Sequence, residues 1–120
     1  MPKLTLFQNS RETVSYAAGQ TIFEEETIGR EAFVVVEGTV NIIVKGRTIE
    51  SFGPGDLFGE MALIEMQPRS ATAVAKTDCR LVAIDEQRFQ FLVQQTPFFA
   101  LHVMRVMAER LRKTTAQLIT

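Results

Sequence analysis

Two side chains of opposite charge, Glu60 and Arg69, lie in a short segment that also contains Glu65 and is otherwise small, apolar or neutral. Gly59 precedes the glutamate and has no side chain, so a ligand can approach its backbone closely. The residues after Glu60 favour a helical turn, whose first amides lack internal partners and can donate to an anion. Pro68 ends such a turn, and the planar guanidinium of Arg69 suits bidentate contact with phosphate oxygens. The segment therefore predicts an anion site.

Glu60 restricts which anions this segment can bind. A carboxylate repels a phosphate unless it contacts another part of the same ligand. Glu60 can accept hydrogen bonds from a hydroxyl while Arg69 neutralises the phosphate, and a ribose 2′-hydroxyl beside a cyclic 3′,5′-phosphate fits both requirements. Ser70 and Ala71 are small and leave space above a bound group. The alternative from the same residue types is a structural Glu60–Arg69 salt bridge without a ligand.

The ordered segment from Phe58 to Ala71 resembles the phosphate-binding cassette of the cyclic nucleotide-binding domain family, and the wider resemblance spans about residues 12–117. The resemblance implies that Glu60 binds the ribose 2′-hydroxyl and that Arg69 binds the exocyclic phosphate oxygens. It also implies that backbone amides and small residues complete the phosphate cradle. The positions that match the cassette are Phe58, Gly59, Glu60, Met61, Ala62, Leu63, Pro68, Arg69, Ser70 and Ala71.

The resemblance also suggests residues for the purine. Thr114 and Thr115 correspond to two hydroxyl residues that contact the purine in bacterial transcription regulators of this family, and a threonine can both donate and accept. Strand register suggests Ile42 and Ile49 for the apolar face of the base. Ser70 stands where members that favour cyclic GMP often have threonine. Cyclic AMP is therefore the expected ligand, and cyclic GMP remains open.

One loop departs from the family pattern. After Phe23 the family often has a glycine-containing acidic turn, whereas this chain continues with three glutamates, Glu24, Glu25 and Glu26. We expect a solvated turn there, and because the loop is remote from the cassette in sequence, the departure puts little of the resemblance in doubt.

The composition favours one folded domain, residues 1–120, because 46% of the residues are apolar and the length allows a real core. A net charge of −1 offers no basic field for nucleic acid or an anionic membrane. The lone cysteine, Cys79, and the lone histidine, His102, are expected to be structural, so no metal, cofactor or enzymatic activity is predicted. We expect a cytoplasmic protein, since no signal peptide or membrane span is evident.

Short β-rich segments with turn signals between them predict a mainly β domain, and the resemblance makes it an antiparallel β-roll, jelly-roll-like, over about residues 12–85. Expected strands are Val14–Tyr16, Thr21–Phe23, Ala32–Val36, Thr39–Val44, Thr48–Phe52, Ser70–Ala75 and Arg80–Ile84.

Two C-terminal helices are expected over about residues 86–118, the first at 86–95 and a longer one from Phe98, divided by Thr96-Pro97. The long helix is apolar on two sides, which a second copy of the chain or the end of the roll could cover. Its basic residues, including Arg110 and Lys113, are interpreted as a solvated face.

These features together predict a sensor that binds a cyclic mononucleotide and reports it by moving its C-terminal helix to an unidentified effector protein. Two alternatives stay open. One is a ligand-free β-roll used for protein interaction. The other is the effector domain of a transcription regulator whose DNA-binding part is absent.

Overall fold

The computed structural model of the chain describes residues 3–119, and for residues 118 and 119 it describes the backbone alone. Its strands form two antiparallel sheets, ordered β1-β8-β3-β6 and β2-β7-β4-β5, and two helices follow them. The predicted mainly β architecture, an antiparallel roll with C-terminal helices, is confirmed. The elements are β1 (Val14–Tyr16), β2 (Thr21–Phe23), β3 (Ala32–Glu37), β4 (Val40–Val44), β5 (Arg47–Phe52), β6 (Leu57–Phe58), β7 (Thr72–Ala75), β8 (Cys79–Ile84), α1 (Glu86–Gln95) and α2 (Phe98–Ile119).

The continuous apolar sequence of β3 is explained by layers on both of its faces. Successive side chains of a strand point to opposite sides. Val34 packs in a cluster that contains Phe99 of α2, whereas Phe33 and Val35 pack in a second cluster between the two sheets. The helices therefore cover the outer face of the first sheet, and the second sheet covers its inner face.

Phenyl rings fill much of the space between the sheets, as the nine phenylalanines of the sequence predict. The rings of Phe23, Phe33, Phe58 and Phe52 form a row whose neighbouring centroids lie 5.5–6.1 Å apart. Such offset ring pairs add stabilisation beyond the apolar area that they bury. This row lies beside the segment that carries Glu60 and Arg69, since the Arg69 guanidinium packs on the Phe23 ring.

Most element bounds follow the sequence prediction, with differences at the cassette. The predicted helical turn is a 3-10 helix, Glu60–Leu63, and α1 covers the predicted residues. The strand expected at Ser70–Ala75 begins only at Thr72. The two-residue strand β6, which pairs with Phe33 and Val34 of β3, was not predicted.

Cys79 lies in the core between the sheets, and His102 is half-buried on α2. The Cys79 thiol is buried and donates to the carbonyls of Thr39 and Thr77 at 3.3 and 3.2 Å. Burial raises the pKa of this thiol, which keeps it protonated. Burial, with a smaller effect of Arg105, lowers the pKa of His102. Among residues 3–119, no helix is long and apolar enough to cross a membrane, and no group of three or more metal-binding side chains occurs.

Candidate functional site

The cassette begins where β6 runs into a left-handed turn. Gly59 has a φ of 71° and stands immediately before the 3-10 helix, whose first residue, Glu60, is 6% exposed. A Cβ at Gly59 would lie 2.9 Å from Arg69 Nη1, so the glycine serves both the turn and the close approach. Phe58, just before it, is buried in the phenyl row.

One backbone amide of the cassette, that of Ala62, is engaged within the 3-10 helix. The amide of Ala62 donates to the Gly59 carbonyl at 3.2 Å, so it closes the first turn of the 3-10 helix. The role of the amides near Met61 and Ala62 in a phosphate cradle, which the family resemblance implies, stays a prediction. The amides of Glu60 and Met61 precede that first internal donor and are the ones that a helical start leaves for an anion.

Arg69 is held tightly on the inner side of the cassette, with only 9% of the residue exposed. Its Nη1 donates to the Gly59 carbonyl at 3.2 Å and its Nη2 to the Glu31 carbonyl at 2.7 Å. Its guanidinium carbon lies 4.0 Å from the centre of the Phe23 ring, a cation–π contact. Within the described residues, the buried Nε has no hydrogen-bond partner. A buried guanidinium with an unused donor is suited to receive an anion.

The loop between β2 and β3 packs directly against the cassette, although the two are remote in sequence. The amide of Glu26 donates to the Arg69 carbonyl, and the amide of Arg69 donates to the Thr27 carbonyl, both at 2.8 Å. Ile28 and Pro68 form an isolated bridge. The loop thus fixes the backbone of the arginine as well as its side chain.

Within that loop the three glutamates are partly engaged. Glu24 and Glu26 are exposed, as a solvated turn requires, but the carboxylate of Glu25 accepts from the Lys45 amide at 3.0 Å. Glu26 adopts a φ of 70°, in the left-handed region that favours glycine.

Glu60 pairs with an arginine from α2. Its carboxylate accepts from Nη1 of Arg110, and Nη2 of the same arginine donates to the Leu57 carbonyl. The Arg110 guanidinium also lies over the Phe52 ring, 4.6 Å from its centre. The prediction that Arg110 belongs to a solvated basic face is therefore wrong, because this residue joins the long helix to the cassette.

The alternative of a simple Glu60–Arg69 salt bridge is not the arrangement seen in the described part of the chain. Glu60 pairs with Arg110, whereas Arg69 donates to two carbonyls. Burial lowers the pKa of Arg69, and the charges of Glu31 and Glu60 oppose that effect. The two side chains remain separate, so each can contact a different group of one ligand.

The remaining predicted residues lie at different distances from this centre. Ser70 is exposed and Ala71 half-buried, directly before β7, and Met61 is exposed on the 3-10 helix. Thr114 is exposed, and its hydroxyl donates to the Arg110 carbonyl at 3.1 Å, which leaves the oxygen free to accept from a base. Thr115 is exposed on the next position of α2.

The two isoleucines do not share a surface. Ile42 is buried between the sheets and pairs with Glu50, whereas Ile49 is 59% exposed at the irregular position of β5, where the pairing shifts from Ile42–Glu50 to Ile43–Thr48. The expectation that both residues line the apolar face of the purine stays a prediction. Glu50 is the β5 residue that shares the inner face with Ile42 and Phe52.

The sequence analysis did not place several residues of the site there. Phe23 at the end of β2 and Gly29 in the following loop contact the Arg69 guanidinium, and Arg110 and Lys113 reach Glu60 and Glu50 from α2. These contacts depend on tertiary packing. The one local pattern that could have indicated a shared direction is the three-residue spacing of Arg110 and Lys113 on α2, which places both side chains on the same side of the helix.

Comparisons with known proteins agree with this geometry. The family model described as the cyclic nucleotide-binding domain matches residues 13–96. The cyclic AMP receptor protein of Thermus thermophilus is 33% identical over 86% of this chain and 50% of its own length. The cAMP-dependent protein kinase regulatory subunit of Eremothecium gossypii is 38% identical over 78% of this chain and 20% of its own length. The chain thus spans about half, or less, of these curated relatives.

Solved structures show the same likeness. The crystal structure of the Thermus thermophilus catabolite activator protein has a TM-score of 0.82 and 33% identity, over 89% of this chain and 53% of the other. A structure from a cyclic-GMP-dependent signalling pathway that regulates bacterial phytopathogenesis has a TM-score of 0.75 and 34% identity, over 84% of both chains. The family model covers most of the chain, and the buried glutamate and arginine stand on the cassette that the motif predicts. The chain belongs to the cyclic nucleotide-binding domain family.

Proposed function

We propose that this chain binds a cyclic mononucleotide reversibly and acts as a regulatory sensor rather than as an enzyme. The single observation that carries the proposal is the pair of buried, separately held side chains Glu60 and Arg69, 6% and 9% exposed, at the two ends of one cassette. A buried charge is costly unless it has a partner, and the spare Nε of Arg69 lacks one within the described residues. A phosphate supplies that partner.

In the proposed complex each cassette residue has one role. Glu60 accepts from the ribose 2′-hydroxyl, and Arg69 donates to the exocyclic phosphate oxygens. The amides of Glu60 and Met61 face the same phosphate, with Ser70 and Ala71 closing its other side. No step of covalent chemistry is required, since binding energy alone produces the signal.

The signal is proposed to pass through α2. Arg110 connects this helix to Glu60, so a ligand hydroxyl at Glu60 meets the helix contact directly. A ligand can shift α2 only through its different affinity for the two helix positions. The joint at Thr96-Pro97, between α1 and α2, is the proposed hinge for this movement.

Cyclic AMP is the proposed ligand, and cyclic GMP is the alternative that the test must separate. Ser70 supports cyclic AMP by the family pattern given above. The relatives carry both kinds of name, a cyclic AMP receptor protein and a structure from a cyclic-GMP-dependent pathway.

We also propose a partner for α2, an effector protein and a cellular location. The exposed stripe of α2 that contains Leu101, Met104, Ala108 and Leu111 fits a homodimer. The effector that receives the signal and the cytoplasmic location both stay predictions.

A second candidate function, a protein-interaction module, is favoured by one surface. Four large apolar residues around the tip of the cassette are 55–61% exposed, beside a groove of about 300 Å³ between the cassette and the start of α1. Exposed apolar patches of this kind mark interaction sites. The apolar residues are Ile28, Met61, Ile64 and Met66.

Calorimetric titration with cyclic AMP and with cyclic GMP tests the proposal. We expect saturable binding with a micromolar dissociation constant, about −8 kcal/mol. No heat from either ligand, with a folded sample, would contradict the sensor and favour the interaction module.

Substitution of Arg69 tests the mechanism behind that binding. We expect Arg69→Ala to weaken binding by about 2–5 kcal/mol, because it removes the buried charge that pairs with the phosphate. The exposed neighbour Arg30 gives a matched control, since Arg30→Ala removes the same charge without touching the cassette interior. Equal affinity of wild type and Arg69→Ala would refute the assigned role.

A further inference from the structure

The main chain of Glu31 lies against the guanidinium of Arg69. Arg69 Nη2 donates to the Glu31 carbonyl at 2.7 Å. The same carbonyl oxygen lies 3.5 Å from the position that a Cβ would take at Gly59. Glu31 therefore borders the cassette at both Gly59 and Arg69, although it belongs to the β2–β3 loop and directly precedes strand β3.

Side-chain alternation places Glu31 on the cassette side of this strand. Successive side chains of an extended chain lie on opposite sides. Phe33, two residues after Glu31, packs in the phenyl row beside Phe23, the ring that carries the Arg69 guanidinium. Glu31 is exposed, so it lies on that side at the open edge of the proposed anion site. The neighbouring cation, Arg30, lines the groove between the cassette and α1 instead.

The electrostatics of the site agree with this placement. Burial lowers the pKa of Arg69, and the charge of Glu31 opposes that effect more than the charge of Glu60 does. Burial also raises the pKa of Tyr16, which packs in the cluster between the sheets, and the charge of Glu31 adds to that effect. The carboxylate of Glu31 therefore acts on the inner side of the cassette, where Arg69 is held.

The charges at this position balance one negative charge of a ligand. Arg69 supplies a positive charge, whereas Glu60 is already paired with Arg110. A cyclic phosphodiester carries a single negative charge, which Arg69 neutralises. A phosphate monoester carries about −1.5 to −2 at pH 7, so its additional charge would face the carboxylate of Glu31.

We infer that Glu31 determines the selectivity of this chain for a cyclic phosphodiester over the phosphate monoester of the same nucleoside. The inference rests on the proposed function, because it assumes that Arg69 receives the phosphate. Hydrolysis of one ester bond of the cyclic ligand can leave the base and the ribose 2′-hydroxyl unchanged, so contacts to those groups separate the two molecules poorly. The additional negative charge of the monoester distinguishes them, and a nearby carboxylate disfavours that charge.

The test measures how well cyclic AMP and adenosine 5′-monophosphate displace radiolabelled cyclic AMP from wild type and from Glu31→Gln. The substitution removes the charge and keeps the shape of the side chain. We expect the ratio of the two affinities to move about fivefold toward the monoester at low ionic strength, and the shift to shrink as salt screens the repulsion. Glu24→Gln removes an equal charge from an exposed position of the same loop and should leave the ratio unchanged.

The outcomes separate this inference from the function on which it rests. An unchanged ratio in Glu31→Gln, or an equal gain for both nucleotides, overturns the inference and leaves the sensor intact. Failure of the monoester to displace cyclic AMP from either protein overturns it as well. Absence of cyclic nucleotide binding in the wild type overturns both. If thermal unfolding shows that Glu31→Gln does not fold, Glu31→Ala replaces it under the same criteria.

Discussion

The orientation of Arg69 depends on a residue outside the cassette. A Cβ at Gly29 would lie 2.1 Å from Arg69 Nε and 2.3 Å from its Cζ, closer than any real contact. Gly29 is not among the glycines with positive φ, so this position needs glycine for space rather than for backbone conformation. The guanidinium cannot move aside without losing its bonds to the Gly59 and Glu31 carbonyls. The proposed anion site is therefore shared between the cassette and the β2–β3 loop.

We expect Gly29→Ala to weaken cyclic nucleotide binding at least tenfold, because the methyl group displaces the guanidinium from the position that meets the phosphate. Titration calorimetry measures this, with thermal unfolding as a check on the fold. Gly53→Ala is the matched control, since a Cβ at Gly53 meets nothing within 4 Å and its φ is ordinary. A Gly29→Ala variant that binds as tightly as Gly53→Ala would contradict the positioning role of Gly29.

Among the elements, the β4–β5 hairpin contains one strained residue, Lys45, and a substitution can relieve that strain. Val44 pairs with Arg47, so the loop consists of Lys45 and Gly46 alone, with φ values of 50° and 79°. Two positive φ values in a two-residue loop define a type I′ turn, which favours Asn-Gly. Lysine is a poor residue for the first of these positions, because its Cβ crowds the backbone there.

We expect Lys45→Asn to raise the free energy of unfolding by about 0.5–1 kcal/mol, because asparagine tolerates the left-handed conformation. The amide of residue 45 still donates to the Glu25 carboxylate, since that bond uses the backbone. Chemical denaturation measures the change. Thr48→Asn, at an exposed strand position of the same hairpin, should instead lower stability. A lower midpoint for Lys45→Asn would show that the lysine side chain itself supports the turn.

What could be predicted from sequence differs among these elements for physical reasons. Helix α1 was predicted over its observed residues, because its apolar spacing and the Thr96-Pro97 break are local signals. Strand β6 has two residues and no periodicity, and only its pairing with β3 defines it. The contacts of Gly29 and Arg110 with the cassette join distant parts of the chain, so no local pattern could reveal them.

In the molecule as a whole, one face of α2 packs against the roll and the opposite face is exposed. Phe99, Val103 and Val106 are buried against the roll. A second stripe repeats every three or four residues on the other side, where its large members are 43–68% exposed. That spacing is the seam of a two-helix coiled coil, and two copies of one helix satisfy it symmetrically. The stripe consists of Leu101, Met104, Ala108 and Leu111.

A single charge in this stripe tests the proposed homodimer. We expect the wild type to sediment at twice the mass of one chain at micromolar concentration, and Met104→Glu to raise the dimer dissociation constant at least tenfold, because the seam would bury two facing carboxylates. Met66→Glu is the matched control: its side chain belongs to the cassette tip, with 61% exposure against 57% for Met104. If Met66→Glu separates the chains and Met104→Glu does not, the cassette tip is the contact surface and α2 is not. A wild type that stays monomeric assigns the open stripe of α2 to a different partner, and the signal of the bound nucleotide would then leave the domain through that partner.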